Sequence, residues 1–470
     1  MNWRKNMAFS MIPSVRLKPI FFVFAFFLVQ NFFSQKLPLL QLSKDRSYIE
    51  TADGSPFFWL GDTAWELVHR LDREEIIKYL ENRQKKGFTL IQTVIIAEMN
   101  GVHEPNAYGD LPLVEEDPGQ LNQRYFEHVD FVISEAGKRG LYVGLLPAWG
   151  DKIVKKWSMG PEIFTPVNAV KYGKLLGKRY RNHSNIIWIL GGDRIPETKE
   201  HEEIVRSMAR GLKKEDTKHL ISYHPSGGEI ASDYFDENWL DIDMFQSGHS
   251  SLIEEYKYPQ KIRNRKFSRP LINGEARYED IPDRFWQEED YGRLDDRDVR
   301  VSAYWSLLAG ATGYTYGSND IWQMFSPGEN HPSLNARLGW KKALDQPGAE
   351  QMKYLKKLFS SFNWHKMKPA QELILSLNPE DAGYIVAAKA TDFAIFYTPQ
   401  GRAFQVDFQQ LAFEKPNAYW YNPRTGTSEK IINTNSSQKV IFEAPSSGRG
   451  YDWVLILLPA HNNLKLSKQP

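Results

Sequence analysis

The 470-residue chain contains no cysteine. That absence excludes thiolate zinc sites, iron–sulfur clusters, a cysteine nucleophile and any disulfide framework. It also carries almost no net charge: 59 basic against 58 acidic residues leave +1, without the basic footprint that a nucleic-acid-binding surface shows. No apolar run reaches the roughly 20 residues a membrane-spanning helix needs. His201-Glu202 lacks the second histidine of H-E-x-x-H, and no tight histidine–carboxylate cluster stands in for it, so neither a metal nor another cofactor is expected. What the chain has in excess is aromatic: 14 Trp, 22 Tyr and 27 Phe make up 13% of it. Large aromatics build cores, and their faces also pack against the C–H faces of sugar rings.

The N-terminus reads as a targeting segment. Arg4, Lys5, Arg16 and Lys18 precede the apolar run Ile20–Phe33, and Phe33-Ser34-Gln35 has the character of a cleavage region. Residues 1–35 are therefore expected to be a signal peptide, removed to leave a periplasmic or secreted chain with no stable membrane span. The uncleaved alternative is a signal anchor.

From residue 48 to 362 short apolar runs alternate with amphipathic stretches. Strands are expected at 57–61, 89–94, 141–146, 186–190, 220–223, 242–246, 271–273 and 313–316. Helices between them include 73–86, one ending near Gly140, one from Thr165-Pro166 to Tyr180, and others around 203–213, 298–308 and 351–362. Such alternation implies right-handed βαβ units and a parallel sheet. The first strand runs into Leu60-Gly-Asp-Thr-Ala-Trp65, without the G-x-G-x-x-G of a dinucleotide-binding open sheet. Eight repeats favour a (β/α)8 TIM barrel over residues 36–365. Beyond about His365–Pro369 the pattern becomes short strands at 373–377, 384–388, 394–397, 404–408, 418–421, 440–442 and 454–458. These read as a small all-β sandwich over 366–470, giving an α/β barrel followed by a β domain.

In a parallel barrel the site lies where the strands end. Strand ends carry Asp62 and Trp65, then Trp149, then Gly191-Gly-Asp193, then Tyr223-His224. Further on come Gln246-Ser-Gly-His249, Asn273-Gly-Glu275, and Tyr316 with Trp322 beyond it. Asp193 and Glu275 thus sit on the fourth and seventh strands, nearly opposite across the barrel. Singly, Asp193 could cap a helix and Glu275 could pair with Arg277. Together they suit glycoside cleavage, in which one carboxyl protonates the leaving oxygen and the other attacks the anomeric carbon or activates water. Asp62, Trp65, Trp149, Tyr223, His224, Gln246, His249, Tyr316 and Trp322 are the candidate substrate-binding residues, and Trp59 and Trp188 are assigned to the core.

At these motifs the chain resembles the apiosidase-like glycoside hydrolases of glycoside hydrolase family 140. The resemblance rests on Trp59–Trp65, Trp188–Asp193, Gln246–His249, Asn273–Glu275 and Tyr278-Glu279, in that order. It extends to the C-terminal region, which is similar to a module described as collagen-binding. The resemblance implies hydrolysis of an apiose linkage in pectic rhamnogalacturonan II, with Asp193 as acid/base and Glu275 as nucleophile. The wider retaining clan carries Asn-Glu on the fourth strand where this chain has Gly-Gly-Asp. A shorter acid leaves both outcomes open: retention at a carboxyl spacing of roughly 5–5.5 Å, or inversion at roughly 6.5–9.5 Å. The alternative from another class is a non-catalytic carbohydrate-binding or adhesion protein on a barrel scaffold.

Overall fold

A computed structural model describes Met1 and residues 36–262, 265–431 and 438–467; the expected signal peptide lies outside the described residues. Eight parallel strands form the barrel: β1 (Trp59–Thr63), β2 (Leu90–Ile96), β3 (Tyr142–Ala148), β4 (Ile186–Gly191), β5 (Ile221–His224), β6 (Asp243–Gln246), β7 (Leu271–Glu275) and β8 (Gly313–Ser318). They lie side by side in the order β5-β4-β3-β2-β1-β8-β7-β6. The seam between β5 and β6 is narrow. It is a single parallel bridge from Ser222 to Ile242, reinforced by the Ser222 hydroxyl donating to the Ile242 carbonyl at 3.0 Å.

Alternation along each strand sorts the side chains. Trp59, Leu90, Val94, Tyr142, Leu146, Ile187, Ile189, Met244 and Ile272 fill the interior. Leu60, Ile91, Val143, Trp188 and Tyr223 face outward into the layer covered by helices. An N-terminal hairpin, Leu40–Leu42 with Ile49–Thr51, adds Leu40 and Ile49 to the interior cluster. The longer helices are α1 (Arg73–Lys85), α2 (Gln123–Lys138), α3 (Pro166–Tyr180), α4 (Lys199–Glu215), α5 (Asp296–Leu308) and α6 (Pro347–Phe359). Their starts follow the sequence signals: Asp72 and Glu75 form a capping box, and Thr165 caps α3 with Pro166 at its first position.

The C-terminal region is a six-stranded antiparallel sheet facing a two-stranded one, Phe404–Asp407 with Lys439–Phe442. Phe396, Phe404, Trp420, Phe442, Leu455 and Leu457 share its core. One expectation fails there, and one strand was not foreseen. Residues 373–377 form no strand: Gln371–Leu373 is a 3-10 turn, and Ile374 makes an isolated bridge to Val406 as the chain passes toward the smaller sheet. Thr427–Ile431 is an edge strand whose first four residues are polar and exposed and carry no alternation to announce it.

This β module docks on α5. Arg300 on that helix makes a two-pronged ion pair with buried Asp452 at 2.8 and 2.9 Å. The rings of Tyr304 and Tyr397 stack at 4.6 Å, those of Tyr256 and Tyr384 at 3.9 Å, and the Trp305 indole donates to the Tyr384 carbonyl at 2.9 Å.

Candidate active site

The carboxyl-terminal ends of the strands open into a cleft of about 850 Å³ that contains both Asp193 and Glu275. Two backbone irregularities aim these carboxylates. Phe245 pairs with Asn273, but Gln246 pairs with Glu275, so Gly274 is an extra residue in β7. A bulge of this kind re-aims the next side chain. Without it Glu275 would share the outward face of Leu271 and Asn273; with it Glu275 enters the barrel mouth. A Cβ on Gly274 would stand 2.3 Å from the Met244 sulfur, and the Gly274 carbonyl accepts from Gln92 Nε2 at 2.8 Å.

At the end of β4, Gly191, Gly192 and Asp193 have φ of 81°, 125° and 50°. A side chain at Gly191 would meet the His224 carbonyl at 2.5 Å, and one at Gly192 the Trp149 ring at 2.8 Å. The Gly-Gly pair is therefore what lets the chain turn here. Asp193 holds a left-handed conformation unusual for a residue with a side chain, and such strain concentrates at functional sites.

Two histidines face Glu275. Nδ1 of His224 accepts from the Asp193 amide at 3.1 Å, which leaves its proton on Nε2, 3.0 Å from Glu275 Oε2. His249 sets Nδ1 at 2.9 Å from the Ala276 carbonyl and Nε2 at 3.0 Å from Glu275 Oε1. Each ring nitrogen of His249 thus faces an oxygen. Burial raises the Glu275 carboxyl, but the two histidines beside it prevail and hold it well below the ordinary carboxylate range. Asp193 goes the other way. Burial, then the negative charge of Glu275, push it up to about 6, against the Arg194 guanidinium 3.0 Å from its Oδ2. Two carboxyls with ionisations driven apart form an acid paired with an anion.

Around them the structure gathers Trp65, Trp149, Gln246, His249 and Trp322 in the cleft wall. His224 is fully buried beneath, its ring edge-on to Trp65 at 5.3 Å. Three expected binding residues lie elsewhere, for one reason: strand parity turns them outward. Asp62 is completely buried behind β1, where Arg83 Nε donates to it at 2.7 Å and the Tyr79 hydroxyl also donates. The Tyr223 hydroxyl donates to the Arg194 carbonyl at 2.7 Å, and its ring packs edge-on to Phe235. The Tyr316 hydroxyl donates to Glu279 at 2.6 Å, not to Glu275. Arg277 likewise pairs with Glu255 at 2.7 Å and leaves Glu275 free.

The structure adds residues that strand-end reasoning missed. Tyr278 packs its ring 4.0 Å from His249 and accepts from the Trp65 indole at 3.1 Å. Glu98, Trp157, Ser158 and Met159 line one side, and Phe285 with Trp286 the other. Trp157 and Trp286 are 67% and 59% exposed, unusual for tryptophan away from a ligand surface. Their only sequence signal was aromatic content within loops. Among the described residues no group of three or more His, Asp or Glu is placed to hold a metal ion, and no helix is long and apolar enough to cross a membrane.

The family profile described as "Apiosidase-like, catalytic domain" matches residues 43–366, and one described as "Putative collagen-binding domain of a collagenase" matches 368–458. A solved structure titled "Glycoside hydrolase" superimposes with a TM-score of 0.84 at 32% identity, covering 91% of this chain and 98% of that one. A glycoside hydrolase family 5 protein from Bacteroides vulgatus ATCC 8482 gives 0.84 at 31%, covering 92% and 96%. A family 39 glycoside hydrolase from Bacteroides cellulosilyticus WH2 shares the fold at a TM-score of 0.51 and 11% identity, covering 89% and 82%. No curated protein matches the chain.

Proposed function

The chain belongs to the apiosidase-like family and is a glycoside hydrolase; from that premise we propose that it cleaves an apiose linkage in pectic rhamnogalacturonan II with retention of configuration. The observation that carries the two-carboxyl chemistry is the pair of opposed carboxyls in one cleft, Asp193 raised and Glu275 lowered; apiose and retention rest on the family resemblance. Protonated Asp193 gives its proton to the glycosidic oxygen as the bond from that oxygen to the anomeric carbon breaks. Ionised Glu275, fixed by His224 and His249, forms a bond to the same carbon, giving a covalent glycosyl-enzyme. Asp193, now ionised, takes a proton from water, which attacks the anomeric carbon and releases Glu275. The aromatic walls supply flat faces for sugar rings. Nothing among the described residues of the β module selects collagen as a ligand; its packing on α5 supports a stiffening role. The Ile20–Phe33 run supports export, with the chain beginning near Lys36 after cleavage. N-terminal sequencing from the native host that still reads Met1 would overturn cleavage and favour the signal anchor.

The test is a screen of sugars released from rhamnogalacturonan II and other cell-wall glycans, with NMR of the first-formed anomer. Apiose released in its original configuration is expected. Release of another sugar only would overturn the substrate, and an inverted product would overturn the covalent step.

A further inference from the structure

Glu98 follows β2 and is held there by the strand ladder, since the Trp149 amide donates to the Ile96 carbonyl at 2.9 Å. The next residue is pinned as well: the Met99 amide donates to buried Glu66 at 3.2 Å. The Glu98 side chain lines the cleft and is 18% exposed. Its Oε1 accepts from the Ser158 hydroxyl at 2.6 Å. No group among the described residues donates to its Oε2.

The nearby cation does not hydrogen-bond it. Arg194 Nη2 stands 3.7 Å from Oε1, an ion pair without a hydrogen bond, and most of the guanidinium donors are engaged elsewhere. Nη1 bonds both the carbonyl and the carboxylate of Asp193, at 2.6 and 3.0 Å; Nε bonds the Val154 carbonyl at 3.1 Å; and Nη2 bonds Ser158. The guanidinium also lies over the Trp157 ring at 4.2 Å. Glu98 is thus a carboxyl with one oxygen bonded to Ser158 and the other without a protein donor in the cleft it lines, open to a hydroxyl arriving there. Burial pushes it up to about 7, against the Ser158 hydrogen bond, with the charge of Asp193 adding to the rise.

Its position identifies the donor. Glu98 shares the Ser158–Arg194 network with Asp193, whereas Glu275 is held by His224 and His249. The proton donor of a glycosidase stands over the leaving oxygen, so groups beside it meet the sugar that departs. We propose that Glu98 is a specificity-determining residue that binds a hydroxyl of the leaving-side sugar, with Trp157 as the ring platform next to it. This deepens the functional reading above and rests on Asp193 being the acid.

The experiment compares Glu98→Ala and Glu98→Gln with wild type on two substrates. One is the oligosaccharide that the wild type cleaves in the release screen, a rhamnogalacturonan II fragment on the present reading. The other is the 4-nitrophenyl glycoside of the sugar released, which has no leaving-side sugar. The ratio of kcat/KM, oligosaccharide over nitrophenyl glycoside, is expected to fall roughly 10- to 100-fold in Glu98→Ala, carried mainly by KM, as for loss of a hydrogen bond to a charged group. Glu98→Gln, which keeps an acceptor of the same shape, should lose less. A ratio unchanged in Glu98→Ala at a wild-type melting temperature would overturn the proposal. Failure of the acid assignment is seen separately, as wild-type turnover in Asp193→Asn.

Discussion

Replacing Asp193 by Asn should abolish most activity and yet make the protein more stable at neutral pH. The carboxyl rises from an ordinary 3.8 to about 6 in the folded protein. Between those values the unfolded chain ionises first, so the folded state loses stability as pH rises and gains it back as pH falls. At about 1.36 kcal/mol per pH unit, the full penalty above pH 6 is about 3 kcal/mol. Asparagine has no charge to bury; the 3.0 Å ion pair to Arg194 is already counted in that shift, and after allowance for the poorer hydrogen bonding of an amide beside the guanidinium the net gain left at pH 7.5 is about 1–2 kcal/mol. Near pH 3.5, where the carboxyl is largely protonated in both states, the gain should disappear. The assay is thermal unfolding of wild type and variant across that range, beside turnover on one glycoside that the wild type cleaves. The melting-temperature difference should grow with pH by about 1–3 °C. A difference that is flat with pH, or of opposite sign at pH 7.5, would refute the claim that the surroundings push this carboxyl up.

Other consequences are equally concrete. The profile of kcat/KM should fall as pH rises through about 6, where Asp193 loses its proton, and should fall on the acid side only below the ordinary carboxylate range, where Glu275 gains one; a profile flat from pH 5 to 8 contradicts this. Gly274→Ala places a methyl 2.3 Å from the Met244 sulfur, so it should cost about 1–3 kcal/mol in denaturant unfolding and lower kcat by displacing Glu275. Asp62→Asn breaks a fully buried pair with Arg83 and should destabilise by roughly 3–5 kcal/mol, while kcat/KM measured on the folded variant stays near wild type. Asp452→Ala removes the buried partner of Arg300. It should cost a similar roughly 3–5 kcal/mol and lower the melting temperature of the barrel and the β module together; two separate transitions would show that the module does not stiffen the barrel.

Local signals in the sequence determined much of this molecule. The capped start of α3 at Thr165-Pro166, the eight apolar runs and the shift to short strands after residue 366 are written in periodicities of 3.6 and 2, which depend only on neighbours along the chain. The same holds for Asp193 and Glu275 as strand-end carboxylates. Tertiary structure decided which strand-end side chains face the substrate. Asp62, Tyr223 and Tyr316 stand where the barrel ends, yet parity turns them into the helical layer, and Glu275 would have joined them but for one extra glycine in β7. Register is set by pairing with the adjacent strand, so a bulge at Gly274 is invisible until β6 and β7 meet. The same is true of the loops: Glu98, Trp157 and Trp286 converge on one cleft from segments far apart in sequence, a meeting fixed by barrel closure and by no local pattern.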